Sequence, residues 1–297
     1  MNNYRSIVLV RVHKKDSLDT SKFFDDTCEE SNASPLDQFL EDGISLNRHW
    51  VTLDTGAEVA PELSRLLLLG YVSAIEGYMR SLIRRLIHCD IFTQRCCESL
   101  QLSYGAALHH KREGLPDALL EETSFSVKDA IPLALKKFVG IKENSGLTAG
   151  TKGLLSDYDR ICQIRHCCVH RFGKLGVKNA MALGLDQHSK FLERPVLLKR
   201  DALADIADLA FTLVKSINND VFGFVMERSA THTLPFHTTP GIGWAWNKAR
   251  DKARFKAYYD IFCSMKDATP SPHAGDVYDL FRKAHRMVGT AKKAISP

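Results

Sequence analysis

Apolar residues at Leu68, Val72, Ile75, Met79, Leu82 and Leu86 recur at spacings of four and three, the seam of a helix packed against other helices. Pro61 suits a first helical turn, and Glu62 beside it favours the positive end of the helix dipole. Carried to His88, this helix is about 40 Å long at ~1.5 Å per residue; Arg80, Arg84 and Arg85 occupy its other side. Weaker patterns predict helices over residues 92–102 and 127–138. A stronger one covers 154–171, with Ser156 and Asp159 as a capping pair and Gly173 as a left-handed stop. Leu203, Ile206, Leu209, Leu213 and Ile217 mark another long helix over 201–228. The stretch 232–243 holds two prolines and two glycines and reads as a loop. Two basic helices, 244–265 and 274–294, close the chain around Pro270-Ser271-Pro272.

Strand character is confined to the first sixty residues. Ile7-Val8-Leu9-Val10-Arg11-Val12 and Trp50-Val51-Thr52-Leu53, the latter ending at Asp54-Thr55-Gly56, predict two short strands. Residues 16–42 between them are acidic and turn-rich, irregular or short-helical. The expected organisation is a small N-terminal appendage (1–60), a helical domain (61–228) and a basic helical extension (229–297). The fold class is mainly α.

Composition adds exclusions. With 44% hydrophobic and 25% charged residues, a chain of 297 residues is ordinary globular protein and not a disordered one. The longest uncharged apolar run, 66–75, is half of what a bilayer span needs, and Arg5 and Arg11 interrupt the N-terminal apolar stretch. A cytoplasmic protein with no membrane partner is expected. Residues 229–297 hold 11 Lys+Arg and 5 Asp+Glu, a net of +6; the remainder, 29 basic against 30 acidic, is −1. The overall +5 therefore belongs to the tail, which favours a polyanionic partner or simply makes a solvated basic face. The eight cysteines form no C-x-x-C pair, so they read as reduced, packed thiols.

Two candidate motifs fail. Gly146…Gly150-Thr151-Lys152-Gly153 is one residue short of a phosphate-binding loop, and Gly153 stands where Ser or Thr should hold magnesium. His166 and His170 have the spacing of a helical zinc site, but Cys167 replaces the glutamate a metalloprotease needs. A structural metal stays open as an alternative; none is expected, nor any cofactor.

The same segment fits metal-independent RNA cleavage. A base must remove the ribose 2′-hydroxyl proton, an acid must protonate the departing 5′-oxygen, and a cation must hold the phosphate's charge. Histidine titrates in the right range for both proton transfers, and arginine grips phosphate bidentately. On an ideal helix, however, Arg165 and His170 project about 140° apart. Either Arg165 bends around, or two copies of the helix facing across a two-fold axis let both residues converge; the second is the natural solution, so a homodimer is expected.

Arg165-His166-Cys167-Cys168-Val169-His170-Arg171, followed by Gly173, resembles the R-x-x-x-x-H signature of HEPN-domain proteins, whose residue after Arg is often polar. Gly70-Tyr71-Val72-Ser73-Ala74-Ile75-Glu76-Gly77-Tyr78 resembles the first conserved helix of their RiboL-PSP-like group. The resemblance spans roughly residues 61–228 and implies a helical bundle and a metal-independent endoribonuclease, a toxin or antiviral-defence effector with its site at a homodimer interface. It implies that Arg165 and His170 are the catalytic pair, His166 an assisting residue and Glu76 an auxiliary acid. A restraining antitoxin or regulatory partner follows from such an activity. The alternative is a non-catalytic HEPN module that dimerises and binds nucleic acid or nucleotide. For Glu76 the competing role is an i, i+4 partner of Arg80, and for Arg165 and His170 it is that of cations near a helix C-terminus.

Arg171 and the tail residues Lys248, Arg250, Lys252 and Arg254 are the basic groups expected to meet RNA phosphates. The tail interleaves them with Trp244, Trp246, Phe255, Tyr258 and Tyr259, which either stack on unpaired bases or face the bundle.

Overall fold

The computed structural model describes residues 10, 17–28, 31–53, 58–142, 146–232 and 241–293, with the side chains of 286–293 left out. It is about 70% helical, and no strand occurs among the described residues. The chain divides into two compact units, Met1–Asn32 and Ala33–Pro297. In the first, a 3-10 turn, Thr20–Phe23, starts at Asp19, whose carboxylate accepts the Ser21 N–H at 3.1 Å. The expected strand at Ile7–Val12 lies outside the described residues apart from Val10, which is exposed.

The second unit is the bundle. It runs α1 Pro35–Val51, α2 Pro61–Cys89, α3 Ile91–Cys97, α4 Tyr104–His109, α5 Leu115–Leu120, α6 Ala130–Ala134, α7 Ala149–His170, α8 Val177–Leu183, α9 Leu185–His188, α10 Arg200–Thr231, α11 Lys248–Phe262 and α12 Ala274–Lys293. Helix α2 lies at the centre, packed by α1, α7, α10 and α11. Its six seam residues are all buried. Helix α2 is also the one described helix long and apolar enough to cross a bilayer, and most of that stretch is inside the bundle.

The second expected strand, residues 50–53, is instead the end of α1. Leu36, Phe39, Leu40, Gly43 and Trp50 form a helical stripe buried against α2 and α10. Ser34 caps the helix by accepting the Asp37 N–H at 3.0 Å. The Trp50 indole donates to the Tyr71 hydroxyl at 2.9 Å, a tertiary bond that overrides the strand propensity of Trp-Val-Thr-Leu. A Cβ on Gly70 would stand 2.6 Å from Leu46, which is why α1 and α2 approach so closely there. Residues 33–51 thus belong to the core and not to an appendage.

The C-terminal extension is likewise built in. Phe255, Tyr258, Ile261, Phe262 and Tyr278 join the same core. Asp37 in the first turn of α1 accepts from the Ser264 hydroxyl and from the Met265 and Lys266 amides, at 2.5, 3.0 and 3.2 Å. A buried ion pair ties the end of α10 to the start of α3: Arg228 to Asp90 at 2.5 Å, with side chains 4% and 0% exposed. Asp90 also accepts from the Thr93 amide and the Tyr258 hydroxyl. Arg228 reaches the Val139 carbonyl besides, leaving only its Nε unpartnered.

Several boundaries differ from the sequence pattern. Helix α3 ends at Cys97, five residues early, and α6 passes into a π-helical turn, Leu135–Val139, closed by Gly140 at φ 80°. Helix α7 begins five residues before the expected start, because Thr148 caps it by accepting the Thr151 N–H; Ser156 and Asp159 lie well inside the helix. The short helices α4, α5, α8 and α9 carry too few turns for a periodic signal.

Candidate active site

Helix α7 is fixed at both ends. At its start the Asp220 carboxylate of α10 accepts the Thr148 amide at 2.8 Å and the Thr148 and Thr151 hydroxyls at 3.1 and 2.6 Å. Leu155, Tyr158, Cys162 and Cys167 face inward, and the Tyr158 hydroxyl donates to the Phe125 carbonyl at 3.1 Å. At its end, the Arg171 and Gly173 amides both donate to the Cys167 carbonyl, at 3.1 and 3.0 Å. Phe172 and Gly173 are left-handed, at φ 53° and 80°. Gly173 is the stop that the sequence marks. A Cβ there would also lie 2.6 Å from Nη1 of Arg65, whose guanidinium rests against this turn.

The next segment is strapped back. The Leu175 amide donates to the Arg194 carbonyl at 3.0 Å and its carbonyl accepts the Glu193 amide at 2.9 Å, beside the bridge between Lys174 and Pro195. Helix α8 is held to α7 by Asn179, which donates to the Gln163 side chain at 3.0 Å.

This frame presents His166 and His170 side by side and exposed, ring centroids 4.5 Å apart. Partial burial, then the neighbouring His170 ring and the Lys178 and Arg165 cations, lower the His166 pKa from its ordinary value. His166 is therefore neutral at pH 7 and able to accept a proton. Arg165 is half-buried on the side of α7 where its charge, like that of Glu76, reaches Tyr158 and Cys162. Among the described residues it has no ion pair. Within one chain its charge also acts on His166.

Glu76 is engaged elsewhere. Its Oε1 accepts the Phe125 N–H at 2.9 Å. It does not pair with Arg80, whose guanidinium donates to the Leu120 and Thr123 carbonyls at 2.5 and 2.6 Å and lies over the Phe125 ring. The two residues clamp one loop against α2. Arg171 is paired with Glu193 at 2.5 Å.

In the tail, Lys248 pairs with Asp279 at 2.6 Å, and Arg254 donates to the Ile242 and Gly243 carbonyls and covers Trp244. Arg250 and Lys252 are exposed and carry no ion pair among the described residues. Trp244, Phe255 and Tyr258 are buried, and Trp246 stacks on His285. The aromatics therefore serve the bundle, and the stacking platform suggested by the interleaved sequence does not form.

Cys89, Cys96, Cys97, Cys162, Cys167, Cys168 and Cys263 are free. Burial pushes the Cys162 thiol up to about 12 and raises Cys167 and Cys168 as well, so the thiols beside the motif stay protonated and unreactive. No cluster of three His, Cys, Asp or Glu suited to a metal occurs among the described residues, so the histidine pair has no third ligand there. Two site-facing cations, Arg65 and Lys178, escape sequence reasoning. Arg65 lies 107 residues from the Phe172 carbonyl it approaches at 3.5 Å, and no local pattern marks such a distance. No family model, curated protein or solved structure is significantly similar to this chain.

Proposed function

We propose that this protein is a metal-independent endoribonuclease of the HEPN kind that works as a homodimer. The observation that carries the reading is the histidine pair: two exposed imidazoles 4.5 Å apart at the end of α7. The Arg165 guanidinium, with no ion pair among the described residues, lies about one turn back. In the proposed reaction one imidazole takes the proton of a ribose 2′-hydroxyl, and that oxygen attacks the adjacent phosphorus. The bond from phosphorus to the 5′-oxygen breaks, and an imidazolium returns a proton to the leaving oxygen. Arg165 neutralises the charge on the non-bridging oxygens. Its side of α7 differs from that of the histidines, so the Arg165 that meets a given histidine pair comes from the second copy. An exposed apolar collar at Val169, Phe172, Val177 and Met181 supports such a pairing; Phe172 is 94% exposed.

Such a nuclease would act in the cytoplasm, as a toxin or antiviral effector restrained by an antitoxin or other partner until triggered. The same collar would equally serve the second reading, a HEPN module that only dimerises and binds nucleic acid. RNA incubated with the purified dimer and excess EDTA separates the two. Fragments ending in 2′,3′-cyclic phosphate and 5′-hydroxyl are expected. A folded dimer that binds RNA and leaves it whole would establish the second reading instead.

A further inference from the structure

Between α6 and the first half of α7 lies a cavity of about 420 Å³ that the histidine chemistry does not use. Its size is in the range of sites that enclose small organic groups. Pro132, Ile141, Leu147 and Leu155 give it an apolar wall. Lys128, Lys142 and Lys152 stand round its rim, and among the described residues none of them has an ion pair. Asp129 and Asp159 line it too. Asp129 is held left-handed at φ 57°, and its N–H points at both Asp159 oxygens, at 3.2 and 3.4 Å. Those long, shared contacts leave the Asp159 oxygens with acceptor capacity.

The mixture selects the ligand. A simple anion would meet two carboxylates, and a simple cation three ammonium groups. What satisfies all of them is a flat apolar body carrying an amino group at one edge and phosphate at another: a nucleotide whose base has an exocyclic amine. Position gives its source. On an ideal helix Lys152, Asp159, His166 and His170 fall within about 40° of one another, and Asp159 precedes His166 by two turns, about 11 Å. A strand held at the histidines is therefore within reach of this cavity.

We infer that the cavity is a subsite for an unpaired, amino-bearing base of a single-stranded RNA whose cleaved phosphate lies at the histidine pair. The inference rests on the nuclease reading. Lysines at the rim hold the flanking phosphates, the apolar wall takes the base's face, and Asp159 accepts from the amine, as carboxylates do from cytosine N4.

The test uses full-length His170→Ala protein, so that RNA remains uncut, and fluorescein-labelled oligo(rC) and oligo(rU). Oligo(rC) should bind about tenfold tighter. Asp159→Asn, which can still accept the Asp129 N–H, should shrink that preference to about twofold or less. Lys128→Ala/Lys152→Ala should weaken both oligomers and reduce the slope of log affinity against log salt by about 1.4, at roughly 0.7 per phosphate contact. Equal binding of the two oligomers, or an undiminished preference in folded Asp159→Asn, overturns the subsite while leaving the nuclease reading intact if the wild type still cuts RNA. Cytidine monophosphate competing as strongly as oligo(rC) would assign the cavity to a free nucleotide and overturn the strand assignment. A wild type that neither binds nor cuts RNA removes both.

Discussion

His166 and His170 stack across one turn of α7, ring centroids 4.5 Å apart and ring planes tilted by 46°. Protonating both at once places two positive charges in contact, beside Arg165 and Lys178. Burial and these cations lower the His166 pKa, so its proton leaves below the ordinary value of about 6.5. For a folded-state pKa below the unfolded one, the associated stability is present above the unfolded value and is lost as pH falls through the folded value. NMR titration of the ring protons should find His166 titrating below pH 6.5. In His170→Ala it should move upward, and an unmoved midpoint would refute the coupling.

His170→Ala and Arg165→Ala should each leave the bundle folded and remove RNA cleavage. The loss for His170 should be about 10²–10⁴-fold, the usual size of a general acid–base contribution. Mixing the two inactive variants should restore part of the activity, because one site in the mixed dimer keeps an intact histidine pair and an intact arginine. Near-wild-type cleavage by folded His170→Ala would remove the catalytic assignment.

The collar at the end of α7 predicts how dimers fail. Phe172→Asp places a charge on its most exposed apolar residue, and the expected outcome is a folded monomer by light scattering, with cleavage lost. A dimer of unchanged mass would exclude this face as the interface.

Gly173 sits at φ 80°, a conformation that penalises any Cβ by about 1–2 kcal/mol. Gly173→Ala should destabilise by about that amount. Arg65→Ala should not rescue it, since Arg65 can yield its flexible end but cannot change the backbone angle. Denaturant melts of the two single variants and the double one give the answer directly.

Breaking the Asp90–Arg228 pair is expected to be more severe. Arg228→Leu leaves a carboxylate at 0% exposure without its counter-charge, a situation that typically costs about 3–5 kcal/mol. Adding Asp90→Leu should recover part of the loss, although Tyr258 and the Thr93 amide then lose their acceptor. A loss of less than about 1 kcal/mol in the single variant, no more than an average substitution costs, would mean the pair is not holding α3 to α10.

The parts of the fold visible in the sequence are those with several turns of unbroken pattern: α2 and α10 are read close to their observed limits, and α7 at its C-terminal end. Helix α1 does carry helical spacing at Leu36, Phe39, Leu40 and Gly43, but Asn32, Ser34 and Pro35 at its start read as a turn and its Trp-Val-Thr-Leu end mimics a strand. The α7 cap, Thr148, is local, three residues from the amide it accepts; what the residue order does not show is its bracing by Asp220, 69–72 residues away. At the site, the order of residues locates the histidines on one exposed turn. It gives no sign that Glu76 is taken by Phe125 or Arg171 by Glu193, since those partners are supplied by loops brought near only on folding.

The three bonds from Asp37 to residues 264–266 set a schedule for synthesis. The first helix of the bundle is made early, yet the hydroxyl and two amides that fasten its acidic first turn come 227–229 residues later. At about 5–20 residues per second, α1 waits on the order of 10–50 s for them. A nascent chain carries the histidine turn of α7 before the segment that fastens α1 has been made, and a chain stopped short of Ser264 lacks those bonds. For a protein whose finished form would cut RNA, late closure keeps partly made copies incomplete while they are still on the message.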